Sequence, residues 1–254
     1  MQKRKGILFD STLCINCQAC EMACAEQNKL PYNDTIQAQQ FQSAQKFTVV
    51  LEQGDKFMRR LCMNCLDPTC VSVCPVAALE KMEIGPVFYH EDRCIGCRYC
   101  VQACPFGVPK YEWNSPLPRV RKCIMCPDRV SQGKPTACAE ACPTGATKFG
   151  DRDELIAEAQ QRLKDNPEKY IPHIYGLDEV GGTSVLLISD VPFEQFGYRG
   201  DLLREPLPQL TYRVLSRIPD LVTLGGVLLG GIWWITHRRE EVAAAEAGAA
   251  PATK

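Results

Sequence analysis

The chain has 254 residues with 29 Lys and Arg against 30 Asp and Glu, a formal net charge of -1, so no bulk charge marks nucleic acid or an anionic surface as its partner. Sixteen residues are cysteine, far above ordinary use, so the sulfurs must serve either metal or disulfides.

The cysteines form four groups: Cys14, Cys17, Cys20 and Cys24; Cys62, Cys65, Cys70 and Cys74; Cys94, Cys97, Cys100 and Cys104; and Cys123, Cys126, Cys138 and Cys142. Groups one and three read C-x2-C-x2-C-x3-C, and groups two and four widen the middle gap. A disulfide framework has no reason to repeat that spacing, whereas bacterial ferredoxins use it with a final Cys-Pro. Zinc sites are built from two C-x2-C pairs, and a third cysteine at the same interval is surplus to one tetrahedral ion. Four groups of four therefore predict four [4Fe-4S] cubanes.

Along the chain a unit repeats with irregular period: a short apolar strand, a cysteine group, then a helical segment. Strands are expected at residues 6–9 before group one, at 46–52 and 56–60 around Gly54 before group two, and at 86–90 before group three. Residues 146–149 repeat the same position after group four. The third and fourth cysteines of each group are four apart, on one side of a helical turn. They need not serve one cubane, because in the ferredoxin run the fourth cysteine ligates the other cluster. Pro75, Pro105 and Pro143 follow three of the fourth cysteines and end those helices, while group one has Ala25 there and its helix can run on. Between Cys126 and Cys138 lies a loop with Pro127, Gly133 and Pro135, either a plain surface excursion or a partner contact.

Residues 151–164 read as an amphipathic packing helix, with Leu155, Ala159 and Leu163 on one face and acids at its start. Gly181-Gly182 leads into a further strand at 184–188. From Ile218 to Thr236 the only charge is Asp220, and at 1.5 Å per residue the stretch spans roughly 28 Å, enough to cross a hydrocarbon core. Trp233-Trp234 suit an interfacial belt, and Gly226 and Gly230 form G-x-x-x-G, a face for a second helix. A surface-lying or buried helix is the alternative. Arginines on both flanks leave the orientation undecided, and the basic start lacks the apolar run of a secretory signal.

No catalytic set appears: His90, His173 and His237 are scattered, and no Ser-His-Asp set, Walker loop or G-x-G-x-x-G is present. Group one carries Glu21 and Glu26, whereas Arg59-Arg60, Arg93 with Arg98, and Arg121-Lys122 with Arg129 attend groups two, three and four, or are solvated surface charge. If they face the clusters, the potentials are unequal.

The strings CMNCLDPTCVSVCP at 62–75, CIGCRYCVQACPFGVPKY at 94–111, CIMCPDRV at 123–130, CAEACPTGA at 138–146 and YGLDEVGGTSVL at 175–186 resemble the four-cluster ferredoxin-like beta subunits of respiratory complexes, such as formate dehydrogenase-N and membrane-bound uptake [NiFe] hydrogenase. The resemblance implies an α+β fold of two bacterial-ferredoxin-like halves, residues 1–30 with 115–150 and residues 31–114, each holding two [4Fe-4S] clusters. Residues 151–217 then link to one transmembrane helix at 218–236 and a tail at 237–254. It also implies cross-ligation: Cys14, Cys17 and Cys20 with Cys142; Cys123, Cys126 and Cys138 with Cys24; Cys62, Cys65 and Cys70 with Cys104; Cys94, Cys97 and Cys100 with Cys74.

QSAQKFTVVLEQ at 42–53 and the anchor look like the formate dehydrogenase branch, while VSVCPVAAL at 71–79 and GCRYCVQACPFGVPKYEWNSP at 96–116 look equally like the hydrogenase branch. The hydrogenase relatives usually carry a twin-arginine signal, which is not seen here. The expected role is a non-catalytic relay in the inner membrane from a molybdenum or tungsten formate dehydrogenase-like subunit, or a [NiFe] hydrogenase subunit, to a quinone-reactive or cytochrome b membrane subunit. The cluster domain is expected on the periplasmic face, with the cytoplasmic face as alternative. A free polyferredoxin is the competing class, disfavoured by the anchor.

Overall fold

The computed structural model describes residues 3–248. They divide into two compact units, one running to Pro208 and one starting at Gln209.

The first unit opens with β1 (Lys5–Asp10), then α1 (Ala19–Gln27) and α2 (Asp34–Gln37). A hairpin of β2 (Val49–Gln53) and β3 (Lys56–Arg60) turns at Gly54. Next come α3 (Thr69–Ser72), the hairpin β4 (Leu79–Lys81) and β5 (Val87–Tyr89), α4 (Tyr99–Ala103), and the short pair β6 (Lys110–Tyr111) and β7 (Val120–Arg121). The unit continues through α5 (Pro127–Ser131), α6 (Ala137–Glu140), β8 (Thr147–Asp151), α7 (Arg152–Asp165) and β9 (Val185–Ile188).

One three-stranded sheet has the order β8-β1-β9, with β1 antiparallel to β8 (Ile7 opposite Phe149) and parallel to β9 (Ile7 opposite Val185). Every residue of β9 is buried because both sheet faces are covered. Strand alternation sends Leu8, Leu186 and Ile188 to one face, against Leu155 and Ala159 of α7. Ile7, Phe9, Val185 and Leu187 go to the other, into the main core with Met63, Tyr175 and nine of the cysteines.

The expected strand at 56–60 is β3 itself, and the others are displaced by one to three residues at their ends. The largest shift is at 46–52, where β2 begins only at Val49. Lys46 leaves the extended pattern to turn its ammonium inward onto Glu21 at 2.7 Å. The expected helix at 151–164 is α7, with Asp151 closing β8 and pairing with Lys3 and Lys5 rather than capping the helix. The pairs β4–β5 and β6–β7 have strands of two or three residues, too short to show alternation in the sequence, and only residues 86–90 were expected there. The helix of group one does run on: α1 has nine residues, against four or five in α3, α4 and α6.

At the close of the first unit α8 (Leu207–Leu215) begins, and it leads to α9 (Ile218–Gly248), which starts where the apolar run starts and continues past Thr236 through the charged flank. Pro219 stands at its beginning, where a missing N–H costs nothing. This helical stretch is long and apolar enough to cross a membrane, and its large side chains, Leu221, Val227, Trp233 and Trp234 among them, are exposed.

Candidate iron-sulfur sites

Each C-x2-C begins with the same backbone event. The residue just before the second cysteine is left-handed in all four groups: Asn16 (φ 53), Asn64 (φ 47), Gly96 (φ 69) and Met125 (φ 61). That conformation curls the chain so that successive N–H groups face one concavity, as in anion-binding nests. Asn and Gly adopt it at little cost, whereas Met125 carries strain of roughly 1 kcal/mol. The third cysteine then enters in the first turns of a helix: Cys20 in α1, Cys70 in α3, Cys100 in α4 and Cys138 in α6.

Fourth cysteines are served by a second device. Three residues after Cys74, Cys104 and Cys142 stand the left-handed Ala77, Gly107 and Gly145, whose N–H groups donate to the carbonyls of those cysteines. The turn folds amides onto the sulfur: Ala78 N–H donates to Cys74 Sγ at 3.2 Å and Thr147 N–H to Cys142 Sγ at 3.4 Å. Burial acts to raise the Cys142 thiol, but donors at Thr147, Thr144 and Ala146 outweigh it and hold the thiol below its ordinary value. Cys24 lacks this turn because α1 continues, and Asn28 substitutes, its Nδ2 lying 2.7 Å from the Cys24 carbonyl and 3.6 Å from its Sγ.

Remote groups meet around these turns. Cys74 joins Cys94, Cys97 and Cys100 in the wall of one small cavity, and Cys142 joins Cys14, Cys17 and Cys20 around another. The Cys24 thiol is pushed well up, first by burial and then by negative charge at Cys123, Cys138 and Cys126. Cys65 is pushed up by burial and then by Cys62, Cys104 and Cys70. Burial also drives Cys20, Cys70 and Cys123 up to about 12 and Cys100 to about 11.

Four thiolates in so little water-accessible space require strong positive charge among them. Among the described residues no set of Cys, His, Asp or Glu is gathered to hold a single metal ion. Cavities walled by four sulfurs with amides aimed at sulfur instead suit a polynuclear iron-sulfur group, and the donors present fit it. Neighbouring sets also lie within reach of one another: Cys20 feels Cys138, Cys123 feels Cys62, and Cys70 feels Cys100. Only Cys17 and Cys97 among the sixteen are exposed.

The charges around the groups differ from the sequence expectation. Arg59 does not attend group two: it is 1 % exposed and its field falls on cysteines of groups one and four. Glu21 is no free negative charge beside group one, being buried and neutralised by Lys46. Arg121 is committed to Glu91 and Glu112, whereas Arg129 pairs with Glu140 and the Pro135 carbonyl and still acts on Cys126 of group four as expected; the loop between Cys126 and Cys138 is folded through α5. Each histidine faces a carboxylate, His90 with Glu80, His173 with Glu179 and His237 with Glu241. A larger surface cleft lined by Gln39, Glu91, Trp113 and Arg119 contains no cysteine. The left-handed turn residues went unnoticed in the sequence, though Asn-Cys at 16–17 and 64–65 and Gly-Cys at 96–97 signal them.

A family model described as a 4Fe-4S dicluster domain matches residues 53–152. The Escherichia coli O157:H7 hydrogenase-2 operon protein HybA is 38% identical over 233 residues, covering 74% of this chain and 71% of its own. The Haemophilus influenzae formate dehydrogenase iron-sulfur subunit is 32% identical over 242 residues, covering 89% and 76%. The nitrate-inducible formate dehydrogenase iron-sulfur subunit of Escherichia coli K12 is 36% identical over 201 residues, covering 71% and 66%. The chain belongs to this family of respiratory iron-sulfur subunits. As a member it is a non-catalytic electron-transfer subunit, ferredoxin-like, carrying multiple [4Fe-4S] clusters and associated with a membrane.

Proposed function

We propose that the chain relays electrons one at a time through four [4Fe-4S] clusters, from a catalytic subunit to an integral quinone-reactive or cytochrome b subunit of the inner membrane. The clusters supply one-electron exchange with little change of geometry. The chain's own residues hold, space and insulate them. The ligand sets are Cys14, Cys17, Cys20 and Cys142; Cys24, Cys123, Cys126 and Cys138; Cys62, Cys65, Cys70 and Cys104; and Cys74, Cys94, Cys97 and Cys100. They divide between two ferredoxin-like halves, residues 1–30 with 115–150 and residues 31–114. Residues 151–217 link the halves to the membrane span at 218–236, and 237–254 form the tail.

The observation that carries the relay is the gradient of exposure along the sets. Each outer set presents one exposed cysteine, Cys17 or Cys97, beside the buried Cys20 or Cys100, whereas no cysteine of the two inner sets is exposed. A storage protein needs no such ends, whereas a relay needs one contact for its donor and one for its acceptor.

Anaerobic loading should give about sixteen irons per chain, four for each cubane, and a preparation with about four metal atoms, or with zinc, would defeat the assignment. Cys142→Ser should perturb the cluster of Cys14, Cys17 and Cys20 and spare that of Cys123. Cys97→Ser should stop delivery to the membrane acceptor while the attached catalytic partner still reacts with an artificial dye.

The catalytic partner is of formate dehydrogenase type, which the anchor and the formate dehydrogenase relatives support. A hydrogenase-type partner is the second reading, favoured by the 38% identity to HybA against 36% to the K12 formate dehydrogenase subunit. Metal analysis of the co-purified complex separates them, molybdenum or tungsten against nickel. The cluster domain faces the periplasm, a reading supported by the family resemblance. Its digestion by protease from the cytoplasmic side of oriented membranes would overturn that orientation.

A further inference from the structure

Arg59 heads the fully buried side chains by size. It lies on β3, opposite Val50, and its own carbonyl accepts a hydrogen bond from the Tyr198 hydroxyl at 2.8 Å, so the backbone is pinned at that point. The guanidinium donates from Nε to Thr48 Oγ1 at 2.9 Å and from an Nη to Thr147 Oγ1 at 3.2 Å. Both threonines are buried and neutral. Among the described residues no carboxylate pairs with Arg59, and the buried acid of the neighbouring helix, Glu21, is already matched by Lys46.

A guanidinium so placed is costly to bury unless negative charge faces it. Sulfur does. Thr147, which takes one guanidinium donor, donates its own N–H to Cys142 Sγ at 3.4 Å and lines one cavity with Cys14, Cys17 and Cys20, and the charges that act most on Arg59 are those of Cys138, Cys20 and Cys123. Arg59 acts in turn on Cys14, Cys24 and Cys126. These cysteines belong to two of the four ligand sets, those completed by Cys142 and by Cys24. Elsewhere the countercharge is different: Lys81 acts on Cys65 and Lys122 on Cys70.

We propose that Arg59 is the shared countercharge of the two clusters held by Cys14, Cys17, Cys20 and Cys142 and by Cys24, Cys123, Cys126 and Cys138, and that it holds both reduction potentials up. The proposal rests on the ligand assignment above. An arriving electron adds negative charge to a site of already negative net charge, and a fixed cation in a dry interior stabilises that added charge. Arginine suits the task because it keeps its proton in every accessible condition. Thr48 and Thr147 are positioning residues: they take two of the guanidinium donors and fix the cation between the two sets.

The test is an EPR-monitored redox titration of the full-length, cluster-loaded chain in detergent, with iron counted in each sample. Wild-type iron content and four titrating signals test the ligand assignment, independently of any variant. Arg59→Gln and Arg59→Met should lower two of the four midpoints by at least a tenfold change in the reduction equilibrium, about 59 mV for a one-electron couple. The other two midpoints should stay in place, and Arg59→Lys, which keeps the charge, should hold all four near wild type. If the neutral variants do not load these two clusters, loading by Arg59→Lys at wild-type potentials still establishes the countercharge. Unchanged midpoints in Arg59→Gln, an equal shift of all four, or a lysine variant that fails like the neutral ones would overturn the proposal.

Discussion

Lys46 and Glu21 form an ion pair with side chains 3 % and 1 % exposed, joining α1 to the segment that leads into β2. The Glu21 carboxylate also accepts from Val50 N–H at 2.6 Å and the Tyr32 hydroxyl at 3.2 Å, and the Lys46 ammonium donates to the carbonyls of Gln37 and Gln39. Lys46→Met therefore strands a buried carboxylate with two neutral donors. Breaking such a pair from one side costs about 3–5 kcal/mol. For a unit of ~200 residues, where one kcal/mol moves the transition by about 2–4 °C, this is a fall of about 6–20 °C. Because a cluster protein unfolds irreversibly, the assay is the apparent transition at fixed scan rate, read from cluster absorbance under anaerobic conditions. Glu21→Gln with Lys46→Met should recover much of the loss, since no buried charge then remains unpaired, giving a coupling energy of up to ~3 kcal/mol. A single-variant shift under about 2 °C, or a double variant as low as the two losses added, would refute the reasoning.

Ending the chain after Pro208, where the first unit closes, should release a detergent-free protein with unchanged iron content; extraction of the full-length chain by carbonate alone would show that α9 does not span. The pair of His173 and Glu179 makes stability depend on pH: hydrogen bonding to Glu179 raises the imidazole above its ordinary 6.5, and its stabilisation, complete below that value, is lost as pH rises through the raised one. Burial acts to raise Glu179, but the His173 hydrogen bond and backbone donors outweigh it and hold the carboxyl below 4.5, so its share is lost in acid as pH falls through the lowered value. His173→Gln should thus differ most from wild type in transition temperature at about pH 5.5 and least at about pH 9; equal differences at both would exclude the pair as cause. Gly176→Ala should cost about 2 kcal/mol or more, as φ is +94 and the new Cβ would lie 2.3 Å from the Val185 carbonyl oxygen. Gly54→Ala, with open space around it, should cost about 1 kcal/mol, and the order of the two transition temperatures checks the argument.

What the sequence determined by itself is local. Asn or Gly before the second cysteine encodes a left-handed curl at Asn16, Asn64 and Gly96, and the x3 spacing a helical turn carrying Cys20, Cys70, Cys100 and Cys138, because both depend on torsions of adjacent residues. The absence of proline after Cys24 lets α1 run on, and the apolar run sets the start of α9 at Ile218. What lies beside what across long stretches of chain is not in the spacing: Cys142 beside Cys14 and Cys74 beside Cys94 were legible only through the family resemblance, and tertiary structure alone placed β1 between β8 and β9. The charges illustrate the reason. Arg59 and Glu21 read as charges attending the cysteines nearest in sequence or as solvated surface charge, and Lys46 only as the start of a strand, yet each is buried. A field acts through space, its strength is set by distance and by the water excluded around it, and both are properties of packing that spacing along the chain does not encode.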